Sequence, residues 1–131
     1  MVLERYGISD FSPQYNQNGK PLLPFCHFSI THTGNKVFCA VGDTNIGIDA
    51  QDIRQIKKAE HYPLFTKGET AVINSSSDTS HKFLEIWTRK EAYIKLMGYK
   101  LTDALDIDTT KDLSVRFETQ EQDDVILTIC Y

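Results

Sequence analysis

Apolar residues along the first third of the chain recur with a period of two. Phe28-Ser29-Ile30-Thr31 alternates apolar and polar, and Val37-Phe38-Cys39-Ala40-Val41 is a short apolar run. Ile46-Gly47-Ile48 follows the turn-like Gly42-Asp43-Thr44-Asn45, so the pattern predicts three short strands in succession. Residues 1–24 carry Gly7, Pro13, Gly19, Pro21 and Pro24 among polar residues without a period, and read as an irregular approach segment. Beyond the strands the spacing lengthens. From about Asp52 to Tyr62, Ile53 and Ile56 sit among charges, a helical pattern that Pro63 would stop. Thr66 with Glu69 three residues later is a capping-box signature for a second helix.

The polar segment Asn74-Ser75-Ser76-Ser77-Asp78-Thr79-Ser80 predicts a loop between two helices. The strongest helix follows, from about Ser80 to Met97, with Phe83, Ile86, Trp87, Ile94 and Met97 at helical spacing and Gly98 placed to end it. The period then returns to two. Leu113, Val115 and Phe117 alternate, as do Val125, Leu127 and Ile129, with Glu121-Gln122-Asp123-Asp124 as the turn of an antiparallel hairpin. Strands, helices and strands in that order predict an α+β fold, with helices packed on one side of a largely antiparallel sheet. The expected organisation is a single domain over residues 1–131, without internal repeats.

Composition narrows the possibilities. A chain of 131 residues, 40% hydrophobic, suits one core that buries roughly two-thirds of the unfolded surface. A net charge of −4 argues against general nucleic-acid binding, which demands a basic surface. A local basic patch is expected, if anywhere, around Lys57-Lys58, Lys82, Arg89, Lys90, Lys95 and Lys100, the alternative being a solvated helical surface. No apolar stretch approaches the roughly 20 residues of a membrane span, and Met1-Val2-Leu3-Glu4-Arg5 lacks a signal-peptide run, so the expected location is the cytoplasm. Cys26, Cys39 and Cys130 lack Cys-x-x-Cys spacing and read as reduced core thiols.

Trp87, Glu91 and Lys95 stand four apart on the strongest helix, forming a line from aromatic to acid to base; the plain alternative is a surface Glu91–Lys95 pair. Asp49 follows Ile46-Gly47-Ile48 and is expected to leave the end of a strand, where it would either meet Glu91 or serve as a turn residue. Two carboxylates from different elements suit magnesium, which takes few protein ligands and binds beside substrate phosphates. Thr31-His32-Thr33-Gly34 combines an imidazole, two hydroxyls and a free-turning backbone, fit either to hold phosphate or to build a strand end. His27, His61 and His81 lack partners at metal-ligand spacing, so no zinc is expected.

Taken in order, Phe28-Ser29-Ile30-Thr31-His32-Thr33-Gly34, Gly47-Ile48-Asp49 and Trp87-Thr88-Arg89-Lys90-Glu91-Ala92-Tyr93-Ile94-Lys95 resemble the phosphopantetheinyl transferase superfamily. Its signatures read approximately Phe-Asn-Ile-Ser-His-Ser, Gly-Ile-Asp-Ile-Glu and Trp-x-x-Lys-Glu-Ala-x-x-Lys. Gly19-Lys20-Pro21 and Phe65-Thr66-x-x-Glu69 are similar to minor motifs of the family. The motif order is that of the Sfp-type branch, matched over its second half only. The resemblance implies a fold of that family and transfer of the 4′-phosphopantetheine of coenzyme A to a serine of an acyl or peptidyl carrier protein. It further implies Asp49 and Glu91 as magnesium ligands, with Gln51 standing where the family has a second acid, and Glu91 as base for the serine. Lys95, Lys20 and His32, flanked by Thr31 and Thr33, would meet phosphate. The alternative it leaves is a relative without turnover that keeps the fold and carrier-protein or coenzyme A binding. A lone second half would expose an apolar face and an open cleft, so the chain is expected to self-associate as a dimer or trimer.

Overall fold

The computed structural model describes residue 12 and residues 14–55 and 62–131. Within the segment expected to be irregular, β1 (Gln14–Tyr15) and β2 (Pro21–Leu22) form a small antiparallel hairpin. Its turn needs no hydrophobic period. The Asn16 side-chain carbonyl accepts from the backbone N–H of Asn18 (2.9 Å) and Lys20 (2.8 Å), and Gly19 takes a φ of 84°.

The three predicted strands are present as β3 (His27–Thr33), β4 (Lys36–Gly42) and β5 (Gly47–Asp52). β3 and β4 form a hairpin whose turn carries Gly34 at a φ of 57°. β5 leaves that hairpin for a second sheet of order β5–β7–β6, where β6 (Phe117–Gln122) and β7 (Val125–Cys130) are the C-terminal hairpin and every pairing is antiparallel. Leu113 and Val115 precede β6, yet both pack on the helix side of the core, so their alternation reported direction and not strand. Asp123 and Asp124 both have positive φ (51° and 62°), the pattern of a two-residue hairpin turn.

A row of hydroxyls joins the two sheets. Ser29, Thr31 and Thr33 of β3 accept the backbone N–H groups of Ile48 (3.0 Å), Ala50 (3.3 Å) and Asp52 (2.9 Å) of β5. Side chains thus satisfy donors that a neighbouring strand would otherwise take. The price is an inverted alternation: Ser29 and Thr31 are buried, whereas Ile30 is 49% exposed.

The helix expected from Asp52 is not formed where the chain is described. Asp52 ends β5, and its carboxylate binds the Arg54 N–H (2.9 Å) and guanidinium (3.0 and 2.9 Å), a local bond that competes with helix formation at Ile53–Gln55. The rest of that expected helix, residues 56–61, lies outside the described residues, as do Lys57 and Lys58. After a 3₁₀ turn at Tyr62–Leu64, α1 (Lys67–Ser75) starts on the expected capping box. Thr66 Oγ1 accepts from Glu69 N (3.2 Å) and Glu69 Oε2 accepts from Thr66 N (2.9 Å). The expected seven-residue loop is shorter, because Asp78 caps α2 (Thr79–Met97) by accepting from His81 N at 2.9 Å. Gly98 ends α2 with a φ of 67°, and a second 3₁₀ turn covers Leu101–Asp106.

α2 lies across β5 and β7, giving the expected α+β arrangement of helices on an antiparallel sheet. Phe65, Ile73, Phe83, Leu84, Ile86, Trp87 and Ile126 form one cluster; Ala92, Leu96 and Cys130 form another beneath the second half of α2. Contact there is close enough to require glycine at 47. A methyl group at Gly47 would overlap the Ala92 carbonyl oxygen and approach Leu96 N to 2.6 Å. Gly47→Ala is therefore expected to destabilise the fold by about 3 kcal/mol, at the upper end for overpacking because the obstacle is backbone; thermal unfolding measures it.

Two composition-level expectations change. Cys130 is a buried thiol, its pKa pushed up to about 12 by burial, but Cys39 is exposed and is not a core residue; all three cysteines are free. Among the described residues the expected basic patch is not formed. Lys82 and Arg89 pair with Glu85, and Lys90 is fully buried.

Candidate functional site

Asp49 sits within β5, not at its end, and its side chain is buried. Its carboxylate is heavily subscribed. Oδ1 accepts from Thr31 Oγ1 (3.0 Å) and Lys95 Nζ (2.9 Å), and Oδ2 accepts from the Gln51 side-chain amide (3.0 Å). Lys95 also donates to the Ile48 carbonyl at 3.0 Å, which fixes α2 against β5. The expected alternatives, a turn aspartate and a surface Glu91–Lys95 pair, are both replaced by this cross-element bond.

The line Trp87, Glu91, Lys95 runs from the core into this site. Trp87 is buried against Phe65, with ring centroids 5.7 Å apart. One turn on, Glu91 has its carboxyl pKa pushed up to about 7, first by burial and then by the Asp49 charge, against a smaller opposing pull from Lys95. Among the described residues nothing donates a hydrogen bond to the Glu91 carboxylate, while Gln51, Thr31 and Lys95 all serve Asp49. Two neighbouring carboxyls thus have one ammonium near them, and it is bonded to Asp49.

Thr31, His32 and Thr33 do not converge. Alternation turns the two threonines toward β5, where their hydroxyls are engaged, and leaves His32 exposed on the opposite face. Thr31 is thus a support for Asp49, and a phosphate cradle built from all three side chains does not exist. Lys20 is brought to the other end of the site. It lines a cavity of about 250 Å³ together with Phe28, Ile30, Lys95, Gly98 and Tyr99. Its ammonium donates to Leu96 O (3.0 Å) and Asn45 Oδ1 (2.8 Å), and burial lowers its pKa. A cation at the carbonyl end of α2 also complements the helix dipole.

Sequence reasoning missed the residues that hold this end of α2. Asn45 donates to Leu96 O (2.5 Å), and Asn18 and Asn16 donate to Gly98 O (2.8 and 3.3 Å). It also missed Thr128, which is buried, pairs in register with Asp49, and joins Thr88 (2.8 Å) and Thr119 (2.9 Å) through their hydroxyls. Isolated asparagines and threonines carry no periodic signal; only their convergence marks them.

Residues 45–130 match the model of the 4'-phosphopantetheinyl transferase superfamily, a span running from just before β5 through α2 to the end of β7. The chain belongs to that superfamily. It is 32% identical over 120 residues to the 4'-phosphopantetheinyl transferase gsp of Aneurinibacillus migulanus, covering 86% of this chain and 50% of that protein. It is 30% identical over 106 residues to the 4'-phosphopantetheinyl transferase Sfp of Bacillus subtilis (strain 168), covering 79% and 47%. With the 4'-phosphopantetheinyl transferase AcpT of Salmonella typhimurium the identity is 25% over 124 residues, covering 88% and 65%. The chain thus spans about half the length of the first two relatives.

The donors at this site are of the kind a hard divalent cation takes. Asp49 and Glu91 are carboxylates from different elements, and Gln51 stands beside them with its amide N–H donated to Asp49; burial first, and then the Asp49 charge, raise the Glu91 pKa. Among the described residues no group of three or more His, Cys, Asp or Glu comes together as a metal-binding cluster.

Proposed function

We propose that the chain transfers the 4′-phosphopantetheine of coenzyme A to a serine hydroxyl of an apo acyl or peptidyl carrier protein, with magnesium held by Asp49, Glu91 and Gln51. The observation carrying this reading is the buried Asp49, bonded by Lys95, with the half-buried Glu91 beside it, within the span that matches one transferase superfamily. In the reaction a bond forms between the serine oxygen and the β-phosphorus of coenzyme A. The bond from that phosphorus to the bridging oxygen breaks, 3′,5′-ADP leaves, and the serine proton passes to Glu91. When bound, magnesium neutralises charge developing on the diphosphate oxygens.

Each side chain has a part. Glu91, the carboxylate beside Asp49, is placed to act as the general base for the serine hydroxyl. Lys95 and Lys20 present ammonium groups on one cavity wall, suited to phosphate oxygens, and His32 offers an exposed imidazole on the hairpin. Incubation with coenzyme A, magnesium and an apo carrier protein, read by intact mass, tests the reading. Gain of the phosphopantetheine mass supports transfer; an unmodified carrier protein that still binds the chain supports a relative without turnover, the reading that Gln51 favours because an amide brings no charge.

Gln51→Glu adds a third carboxylate beside Asp49 and is expected to tighten magnesium binding at least tenfold by calorimetric titration. Equal affinity would place residue 51 outside the metal's reach. We also propose self-association, as a dimer or trimer. The outer face of the β3–β4 hairpin presents Ile30 (49% exposed) and Val37 (71%), with Phe25 (77%) just before β3, and Ile30 continues into the cavity wall. Light scattering at micromolar concentration is expected to give a multiple of the chain mass, and an active monomer contradicts it. No helix among the described residues is long and apolar enough to cross a membrane, and a cytoplasmic location accords with substrates of this class.

A further inference from the structure

Next to Glu91, and about 100° around the helix from it, Lys90 is completely buried. Its ammonium is saturated by Glu69 Oε2 (2.6 Å), Leu64 O (2.9 Å) and Ala104 O (2.8 Å), which exhausts its three donors. Glu69, also completely buried, is equally engaged. Oε1 accepts from Thr109 N (3.0 Å) and Thr109 Oγ1 (2.8 Å), and Oε2 accepts from Thr66 N (2.9 Å) as well as Lys90. One ion pair thus ties α2 to the start of α1, to both 3₁₀ turns and to the segment at Thr109.

We propose that Lys90 and Glu69 are positioning residues, a fully satisfied buried ion pair that sets the rotation of α2 and thereby aims Glu91 and Lys95 at Asp49. The inference rests on the transferase reading for its consequence, but its geometry is independent of it. A buried ion pair is weak evidence for stability, because apolar residues of similar volume often serve as well. What it supplies is a single acceptable arrangement. Apolar ridges tolerate small rotations, whereas six hydrogen-bonding contacts from several elements do not. Precision here is worth having. A helical side chain ends about 5–6 Å from the helix axis, so a rotation of about 10° moves it by about 1 Å. A misplacement of that size costs on the order of 10²-fold in rate.

The position also explains two motifs at once. Phe65-Thr66-x-x-Glu69 and the Lys90 beside Glu91 are distant in sequence, and each supplies one partner of the pair. Phe65 itself packs under the ammonium, its ring centroid 5.6 Å from Nζ.

The test is the double variant Lys90→Met/Glu69→Leu, which removes both charges and keeps the volume. It is expected to fold, to show α2 turned relative to β5 in a crystal structure compared with that of the unaltered chain, and to transfer phosphopantetheine about 10²-fold more slowly per folded molecule. A folded double variant with α2 unturned overturns the proposal whatever its activity. An unaltered chain without transferase activity, combined with a turned helix in the variant, upholds the positioning role and defeats the transferase reading instead. Should the double variant not fold, Thr109→Val carries the test: loss of the hydroxyl that anchors Glu69 is expected to turn α2 measurably, and an unmoved Glu91 side chain overturns the inference.

Discussion

Glu91→Gln is expected to slow transfer by on the order of 10²–10⁴, the usual contribution of one general base, while making the metal-free chain more stable at pH 8. The second effect follows from the raised carboxyl. Its pKa is about 7 in the folded chain against 4.5 for the ordinary group, so between those values the folded state binds more protons than the unfolded state. Stability therefore falls as pH rises through that window, and above pH 7 the full penalty of an ionised carboxylate beside Asp49 is present. Glutamine carries no charge and removes it. At about 1.4 kcal/mol per pKa unit, discounted for partial solvent screening, the expected gain is about 1–3 kcal/mol. That corresponds to a rise of several degrees in Tm for a chain of this size. Calorimetry at pH 8 and pH 4 checks the sign: the gain should be present at the first and vanish at the second. Equal stability of the two proteins at both values would place the Glu91 carboxyl in water. Loss of rate with gain of stability is the signature of a group kept charged for chemistry at the expense of the fold.

Periodic signals located the elements well and their environment less well. The spacing of Phe83, Ile86, Trp87, Ile94 and Met97, the Thr66–Glu69 box and Gly98 gave two helices, because caps and stripes are local physics. The strands around Phe28, Val37 and Ile48 were equally legible. Which face of β3 is buried was not, since Ser29 and Thr31 are inside only because β5 runs beside them and offers free N–H groups. The same limit applied to the site. Asp49, Glu91 and Lys95 stood out through motif and helical spacing, yet Asp49 was assigned to a strand end because nothing local reveals that residues 125–130 pair along the whole of β5. Thr31, by sequence a candidate phosphate ligand, is a support for the carboxylate, and Lys90, by sequence a member of a basic patch or of a solvated helical surface, is the most buried cation among the described residues. A lysine reads as solvated until its partner is known. Its partner lies 21 positions away across a turn that no period connects.

Lys90→Met alone is expected to cost about 3–5 kcal/mol, because it leaves the Glu69 carboxylate buried without a cation. Two backbone carbonyls, of Leu64 and Ala104, lose their charged donor at the same time. Against a total stability of about 5–15 kcal/mol for a domain, the single variant stands close to unfolding. Glu69→Leu alone should be comparably damaging, since the stranded group is then the ammonium, and Thr66 N and Thr109 lose their acceptor. Combining the two removes both stranded charges, although Leu64 O, Ala104 O, Thr66 N and Thr109 still lack their partners, so the double variant is expected to lose well under the sum of the two single losses, and urea unfolding of all four proteins gives the coupling directly. A coupling of several kcal/mol is expected. Additive losses would mean that each residue acts through its other hydrogen bonds, to Leu64 and Ala104 on one side and to Thr66 and Thr109 on the other, and that the ion pair itself holds nothing in register. Stability restored in the double variant while transfer stays slow separates the two roles: apolar replacements supply the burial energy, and only the paired charges define the angle at which Glu91 meets Asp49.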